Sequence, residues 1–207
     1  GYEPVEDLYW NRLFKSDDRG YELRRVGSVP DGMAWVSRTA PALQVEAAPA
    51  GLHMPGVEHL PPRTLGDFFV DRYEVTNRAY KRFVDAGGYV KPDYWKEPFV
   101  EDGRTLSWSE AMARFRDRTQ RPGPATWEVG DYPEGLGEHP VTGVSWYEAA
   151  AYAEFVGKSL PTAYHWVLAS QGERGFQIVP GSNFGEKGTR PVGSPGALSA
   201  FGTYDMA

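Results

Sequence analysis

The sequence predicts a loop-rich α+β domain, and three observations support that class. Glycine and proline are frequent, with 24 Gly and 17 Pro among 207 residues, a composition that favours loops over long regular elements. Aromatic residues make up 14% of the chain and include 7 Trp, so we expect aromatic side chains to hold those loops together. Finally, Ser107–Glu110 and Ser145–Glu148 have the Ser-x-x-Glu pattern of a helix-capping box, and the run Phe68–Val75 is typical of a buried strand.

Charge, hydropathy and cysteine content exclude several classes of protein. The formal net charge of −6 argues against nucleic acid as a main partner. No apolar run approaches the roughly 18 residues that a membrane-spanning helix requires, and the residues after Gly1 lack the pattern of a signal peptide. The chain contains no Cys, so its own residues form no disulfide, no cysteine metal site and no cysteine nucleophile. These features leave the compartment unassigned.

The first sixty or so residues predict little regular structure. Residues 1–26 are mixed and charged, and two interpretations stay open: a linker from an upstream region, or a terminal segment docked on the domain. A Pro/Gly turn and a short apolar run predict a strand within residues 27–36. Residues 37–62 are rich in Ala and Pro and predict a loop. Because no third metal ligand is evident beside His53 and His59, we interpret both as solvated loop residues.

A helix is predicted directly after the Phe68–Val75 strand. Thr76 has the position and the side chain of a helix N-cap. Tyr80, Phe83 and Val84 recur at helical spacing and are expected on its inner face. Gly87 and the glycine after it are placed to close the helix.

The capping box at Ser107 predicts a second helix, which should run to about Thr119. Arginines stand at positions 114, 116, 118 and 121; because acidic residues surround them in sequence, we interpret them as a solvated face rather than an anion site. Residues 89–105 and 121–138 on either side form aromatic loops. Such loops can fill a core that is poor in regular structure or bind peptides or sugars in a cleft, and both interpretations stay open.

The stretch from His139 to Trp166 contains the clearest helix signal. Ser145 begins this helix, four Ala favour it, and Gly157 is placed to end it in a left-handed turn. Thr162 is the expected N-cap of the next helix. The stripe that we expect on the core side of the first of these helices comprises Trp146, Ala149, Ala150, Ala153 and Val156.

This stretch resembles the signature of the formylglycine-generating enzyme (sulfatase-modifying factor) family. That signature reads roughly Pro-Val-x-x-Val-Ser-Trp-x-x-Ala-x-x-Tyr, followed by Arg-Leu-Pro-Thr-x-x-x-Trp-x-x-Ala. The matching residues are Pro140, Val141, Val144, Ser145, Trp146, Ala149, Tyr152, Leu160, Pro161, Thr162, Trp166 and Ala169. A second family signature is matched by Asp71, Glu74, Val75, Thr76, Asn77, Tyr80 and Phe83. The resemblance covers residues 27–207 and implies a C-type-lectin-like fold.

The resemblance also implies that residues 27–207 are the N-terminal two-thirds of a domain truncated at its C-terminus. The family's enzyme converts a substrate Cys in a sulfatase to formylglycine, using a pair of Cys residues that bind copper and react with oxygen. Those Cys residues are expected beyond Ala207, so the resemblance assigns no catalytic residue and no copper site to this chain. The rest of the domain and further domains of a longer protein are the expected partners.

Calcium is the second metal that the resemblance implies. One family site uses the Asn side chain at the position of Asn183 and the backbone carbonyl of the next residue, here Phe184. Glu186 is the carboxylate in this chain that could complete the site, but Lys187 stands beside it. Calcium requires six to eight oxygen ligands. The alternative is that Asn183 is an ordinary turn residue.

His165 departs from the family pattern, which has Glu at this third position of a helix. A lone His in this place is expected to pack or to cap the helix. The variant is similar to domains attached to large bacterial serine/threonine kinases. Two functions therefore stay open. In the first, the parent protein is an oxygen-dependent oxidase that acts on a protein Cys or a small thiol. In the second, the domain is a non-catalytic module that binds a polypeptide or small-molecule ligand in a multidomain bacterial signalling protein.

Overall fold

The computed structural model describes residues 1–2, 24–37, 44–48, 55–57, 59–170, 182–195 and 198–206. The chain forms two compact units: residues 1–73, 161–185 and 193–207 belong to the first, and residues 74–160 and 186–192 to the second. The strands and helices are β1 (Met33–Val36), β2 (Phe68–Asp71), α1 (Asn77–Asp85), a 3₁₀ turn (Pro92–Tyr94), β3 (Val100–Glu101), β4 (Arg104–Thr105), α2 (Trp108–Met112), α3 (Trp146–Phe155) and α4 (Ala163–Ser170). None of these helices is long and apolar enough to cross a membrane, as far as the described residues extend.

The first unit contains one antiparallel strand pair. β1 and β2 pair in full register, with Met33 opposite Asp71 at one end. β2 is shorter than the predicted strand, which was expected to continue to Val75. Just past β2, the N–H of Arg72 still donates to the carbonyl of Gly32 at 3.0 Å, while the Arg72 carbonyl accepts a hydrogen bond from the N–H of Tyr204 at 2.8 Å.

Helix α4, in the first unit, begins as the sequence predicts. The Thr162 side-chain oxygen accepts a hydrogen bond from the backbone N–H of His165 at 3.4 Å and lies 2.7 Å from Nδ1 of the same residue. The His165 ring also packs edge-on against Phe68, with ring centroids 4.7 Å apart. His165 therefore caps and packs, and this prediction is confirmed.

The second unit has a core of aromatic side chains drawn from its helices and its loops. Tyr80 meets Trp127 edge-on, with centroids 6.1 Å apart, and Trp95 stacks on Phe115 at 5.2 Å. Such pairs contribute about 0.5–1.5 kcal/mol each beyond the area that they bury. The buried core comprises Tyr80, Phe83, Tyr89, Phe99, Leu106, Ala111, Met112, Trp127 and Ala151. The aromatic loops thus fill the core with the side chains that point inward.

Helix α1 follows its prediction closely. The Thr76 side chain accepts a hydrogen bond from the N–H of Ala79 at 3.1 Å, and Tyr80 and Phe83 are fully buried. After the helix, the backbone of Gly88 passes directly over the Phe83 ring. A Cβ at Gly88 would lie 2.2 Å from that ring, so only glycine fits this approach.

For helix α2 the sequence predicted the start correctly and the end wrongly. The capping box Ser107–Glu110 is formed, but the helix ends at Met112 rather than near Thr119. Within the rest of the predicted helix, the Asp117 carboxylate instead accepts hydrogen bonds from the N–H groups of Thr119 and Arg121 at 2.8 and 2.9 Å. A side chain that binds these groups competes with the helical backbone and favours a turn.

Helix α3 has the predicted ends but not the predicted buried face. It begins at the Ser145–Glu148 capping box, and Gly157 follows it with φ of 70°. The residues of α3 that pack into the aromatic core are Tyr147, Glu148, Ala151, Tyr152 and Phe155, while Ala153 of the expected stripe is also buried. Trp146, which we expected in the core, is 58% exposed. A run of alanines gives little hydrophobic contrast, so the aromatic residues of the opposite stripe decide which face packs into the core.

Candidate functional site

The residues predicted to bind calcium lie in both units. Asn183 is half-buried, and the side chain of Phe184 is 69% exposed, in the first unit. Glu186, in the second unit, forms a two-pronged ion pair with Arg190, whose Nε lies 3.0 Å from Oε2. Hydrogen bonds from this guanidinium hold the pKa of Glu186 below its ordinary value.

An ion pair that occupies both carboxylate oxygens competes with calcium, so Glu186 fits the role of a calcium ligand poorly. Among the residues that the structure describes, no three His, Asp or Glu side chains come together in a way that could hold a metal ion. The calcium site therefore stays a prediction.

The four arginines after α2 have partners. Arg114 makes two hydrogen bonds to the Glu101 carboxylate, at 2.8 and 2.5 Å. Arg118 pairs with Glu128 at 3.3 Å. The arginines at positions 116 and 121 donate to loop carbonyls at 3.4 and 3.1 Å. These contacts support a solvated, internally neutralised surface rather than an anion site.

Asp117 is a buried carboxylate that organises the loop after α2. Its Oδ1 accepts hydrogen bonds from the hydroxyl and N–H of Thr119 and from the N–H of Arg121, and its Oδ2 accepts one from the N–H of Gly130 at 2.7 Å. Burial alone would raise the pKa of Asp117. The hydrogen bonds together lower it by more, so the pKa lies below the ordinary value. Because these donors are all loop groups, the role of Asp117 is structural.

Glu148 is a second buried carboxylate, 3% exposed, at the centre of a hydrogen-bonded cluster. The Tyr89 hydroxyl donates to its Oε1 at 2.6 Å, and the N–H of Ser145 donates to its Oε2 at 2.7 Å. The Tyr80 hydroxyl lies 3.1 Å from that of Tyr89 and 3.4 Å from the backbone carbonyl oxygen of Glu148. We name these four residues the Glu148 cluster.

Burial sets the protonation of this cluster. Burial raises the pKa of Glu148, although the hydrogen bonds from Tyr89 and Ser145 oppose this rise. Burial also raises the pKa of Tyr80 and of Tyr89. The second capping box provides the contrast. There, in a solvent-exposed setting, hydrogen bonds from Ser107 lower the pKa of Glu110 to about 2. The same local motif thus holds carboxyl groups whose pKa values are shifted in opposite directions.

An apolar surface is exposed at the first turn of α3. The Trp146 ring contacts Tyr147 edge-on, with centroids 5.4 Å apart. The Tyr147 hydroxyl accepts a hydrogen bond from the N–H of Val100 at 2.9 Å and lies 3.4 Å from its carbonyl oxygen, to which it can donate. Val100 itself is 48% exposed. We name Trp146, Tyr147 and Val100 the Trp146 surface.

Tyr147 holds this surface in place. Its ring packs against Phe99 with centroids 5.2 Å apart, and its hydroxyl occupies the outer edge of β3. Sequence reasoning missed the surface because it assigned Trp146 to the core. The aromatic residues at positions 147, 152 and 155 were the available signal, since they mark the opposite stripe of α3.

Together these features define a loop-rich α+β domain whose second unit has an aromatic core, buried carboxylates and an exposed aromatic surface at Trp146. A model of the family described as "Sulfatase-modifying factor enzyme 1-like domain" matches residues 49–207. The chain belongs to this family, which confirms the resemblance drawn from the signature residues. Since the match begins at residue 49, the start of the domain at residue 27 stays a prediction.

Relatives of this chain carry two kinds of name. Serine/threonine-protein kinase Pkn1 of Chlamydia trachomatis serovar L2 is 33% identical over 154 residues, which are 70% of this chain and 22% of the kinase. The formylglycine-generating enzyme of Bos taurus is 28% identical over 184 residues, 78% of this chain and 47% of the enzyme. The formylglycine-generating enzyme of Thermomonospora curvata is 36% identical over 126 residues, 54% of this chain and 40% of the enzyme. The matches thus span less than half the length of each of these relatives.

Proposed function

We propose that the chain is a binding module of a larger protein, and that the Trp146 surface binds an apolar side chain of a polypeptide partner. The observation that carries the proposal is the exposure of the Trp146 side chain, of which 58% is accessible to solvent. A tryptophan buries a large apolar area when it is covered and is enriched among the residues that dominate protein interfaces. The Trp146 ring contacts Tyr147, whose hydroxyl is hydrogen-bonded to the Val100 backbone, so part of this surface is ordered before binding.

The chemistry around this surface favours an apolar ligand group over an ionic one. Val100, whose backbone N–H donates to the Tyr147 hydroxyl, adds an exposed aliphatic side chain to this surface. Glu101, the next residue, is already paired with Arg114. A surface that exposes both an aromatic ring and an aliphatic side chain suits an apolar side chain of a polypeptide.

The relatives support a multidomain setting. The stretch matched by this chain is 22% of the kinase Pkn1, so in that protein the similar region is one part of a longer chain. We therefore propose that this module senses or binds its partner within a bacterial signalling protein of that kind. The short antiparallel strands, capped helices and aromatic loops support the further proposal of a C-type-lectin-like arrangement.

A second candidate function is oxygen-dependent oxidation of a cysteine in a protein or a small thiol. The similarity to proteins named formylglycine-generating enzyme favours it. Because the 207 residues contain no Cys, copper-binding thiolates for that reaction would have to come from elsewhere in the protein.

A displayed peptide library tests the binding proposal. The immobilised 207-residue chain should enrich peptides with apolar side chains, and Trp146→Ser should abolish that enrichment. Enrichment that persists unchanged in Trp146→Ser, or no enrichment by the unmodified chain, would refute the proposal. Oxygen consumption by the parent protein with copper and a Cys-containing peptide tests the second candidate, and a rate above that of free copper would favour oxidation.

A further inference from the structure

The Glu148 cluster places a carboxylate in the core of the second unit without a cationic partner among the described residues that contact it. Its hydrogen-bond donors are the Tyr89 hydroxyl and the N–H of Ser145. The titratable groups that the packed elements turn toward the cluster are Tyr80 from α1, Tyr89 from the turn after α1 and Tyr152 from α3. The remaining buried core residues do not titrate: Phe83, Phe99, Leu106, Ala111, Met112, Trp127 and Ala151.

The hydrogen bonds of the cluster are satisfied when Glu148 is ionised. Tyr89 donates to Oε1, and the Tyr80 hydroxyl donates to Tyr89 at 3.1 Å or to the backbone carbonyl of Glu148 at 3.4 Å. In this state, however, a full negative charge lies in the core with only neutral donors around it. Burying a charge without a counter-charge is costly.

The same cluster also accommodates a proton. A protonated Oε1 donates to the Tyr89 oxygen, Tyr89 then donates to Tyr80, and Tyr80 donates to the backbone carbonyl of Glu148. Only the direction of the hydrogen bonds reverses, and no heavy atom has to move. Every polar hydrogen in the chain of hydroxyl groups keeps an acceptor, and the buried charge is removed.

We propose that the Glu148 cluster is a proton-binding site: the folded second unit takes up one proton from solvent at Glu148, and this proton stabilises the junction of α1 and α3. The unit is therefore a pH-sensitive element, tightest when Glu148 is neutral. The inference concerns a buried site and does not depend on the function proposed for the Trp146 surface.

The sign of the effect follows from burial. Burial raises the pKa of Glu148 above its ordinary value of 4.5, so the folded state binds this proton more tightly than the unfolded state. The stability that the proton contributes is complete below pH 4.5 and is lost as the pH rises through the folded-state pKa. Exposed carboxylates with lowered pKa values act in the opposite direction.

The variant Glu148→Gln tests the proposal because its amide reproduces the proton-bound arrangement. The amide oxygen can accept from the N–H of Ser145, and the amide nitrogen can donate to Tyr89. We expect Glu148→Gln to fold as well as the unmodified chain near pH 4.5. Above that pH, the ratio of its folding equilibrium constant to that of the unmodified chain should rise by up to tenfold per pH unit and then level off.

Glu110→Gln is the matched control, since Glu110 has the same capping-box position in an exposed helix. Its pKa of about 2 means that the ionised form stabilises the fold. Glu110→Gln should therefore weaken folding at neutral pH. The ratio of its folding equilibrium constant to that of the unmodified chain should fall as the pH rises. A ratio for Glu148→Gln that is flat, or that falls in the same way, would overturn the proposal.

A second measurement needs no variant at position 148. Carbon-13 NMR of the glutamate carboxyl groups in the unmodified chain, recorded as a function of pH, should show that Glu148 titrates with a midpoint above pH 4.5. Tyr89→Phe should move this midpoint further up, because it removes the hydroxyl that stabilises the ionised form. A Glu148 midpoint at or below the ordinary value would refute proton binding even if Glu148→Gln failed to fold.

Discussion

Asn77 is the residue whose removal tests the packing of the second unit most severely. It is buried, its Nδ2 donates to the carbonyl of Leu136 at 2.9 Å, and its Oδ1 accepts from the indole N–H of Trp127 at 2.9 Å. Asn77→Ala leaves the indole N–H and the Leu136 carbonyl without these partners inside the protein. Each such group costs about 1–3 kcal/mol, so we expect the free energy of unfolding to fall by about 2–6 kcal/mol.

A double-mutant cycle separates this interaction from general damage to the core. Trp127→Phe keeps an aromatic ring but removes the N–H donor, and the double variant should lose less than the sum of the single variants. The difference should be about 0.5–3 kcal/mol, measured by urea unfolding followed by circular dichroism. Additive losses, or a loss below about 0.5 kcal/mol for Asn77→Ala, would refute the reasoning because they would mean that water satisfies these groups.

Three further substitutions probe local features of the second unit. Val129 has φ of 57°, a left-handed conformation that disfavours a β-branched residue, so Val129→Asn should raise the unfolding free energy by about 1 kcal/mol over Val129→Ala. An Asn variant no more stable than the Ala variant would argue against strain. Gly88→Ala should destabilise the chain by several kcal/mol, because its Cβ would lie 2.2 Å from the Phe83 ring; an unchanged midpoint in urea would contradict the close approach. Tyr147→Phe removes the hydrogen bonds to Val100 and should lower stability by about 1 kcal/mol. It should also weaken peptide binding, and unaltered affinity would show that the hydroxyl does not organise the Trp146 surface.

The features that the sequence predicted correctly are governed by near neighbours in the chain. The caps at Thr76 and Ser145 depend on residues three positions later, and the structure contains both. The role of His165 was likewise predictable, because Thr162 stands three residues before it. Local hydrogen bonds of this kind can be recognised without knowledge of the tertiary fold.

The features that the sequence did not predict depend on distant contacts. The turn that replaces the last part of the predicted second helix is held by Asp117, which binds the N–H of Gly130, thirteen positions away. The buried environment of Glu148 requires Tyr89, which is 59 positions away in the chain. The orientation of α3, and with it the exposure of Trp146, was decided by packing among aromatic residues of several loops, which helical periodicity alone does not contain.

The affinity of one selected apolar peptide for three proteins tests the central claim, that the Trp146 surface is the binding site. Isothermal titration would compare the unmodified chain with Trp146→Ser and with Val90→Ser, a control that changes another exposed apolar residue of the same unit. If Trp146 dominates the interface, its substitution should raise Kd by roughly 30-fold or more, as expected for a residue worth about 2 kcal/mol, while Val90→Ser leaves Kd nearly unchanged. Equal effects of the two substitutions, or no effect of Trp146→Ser, would contradict the account.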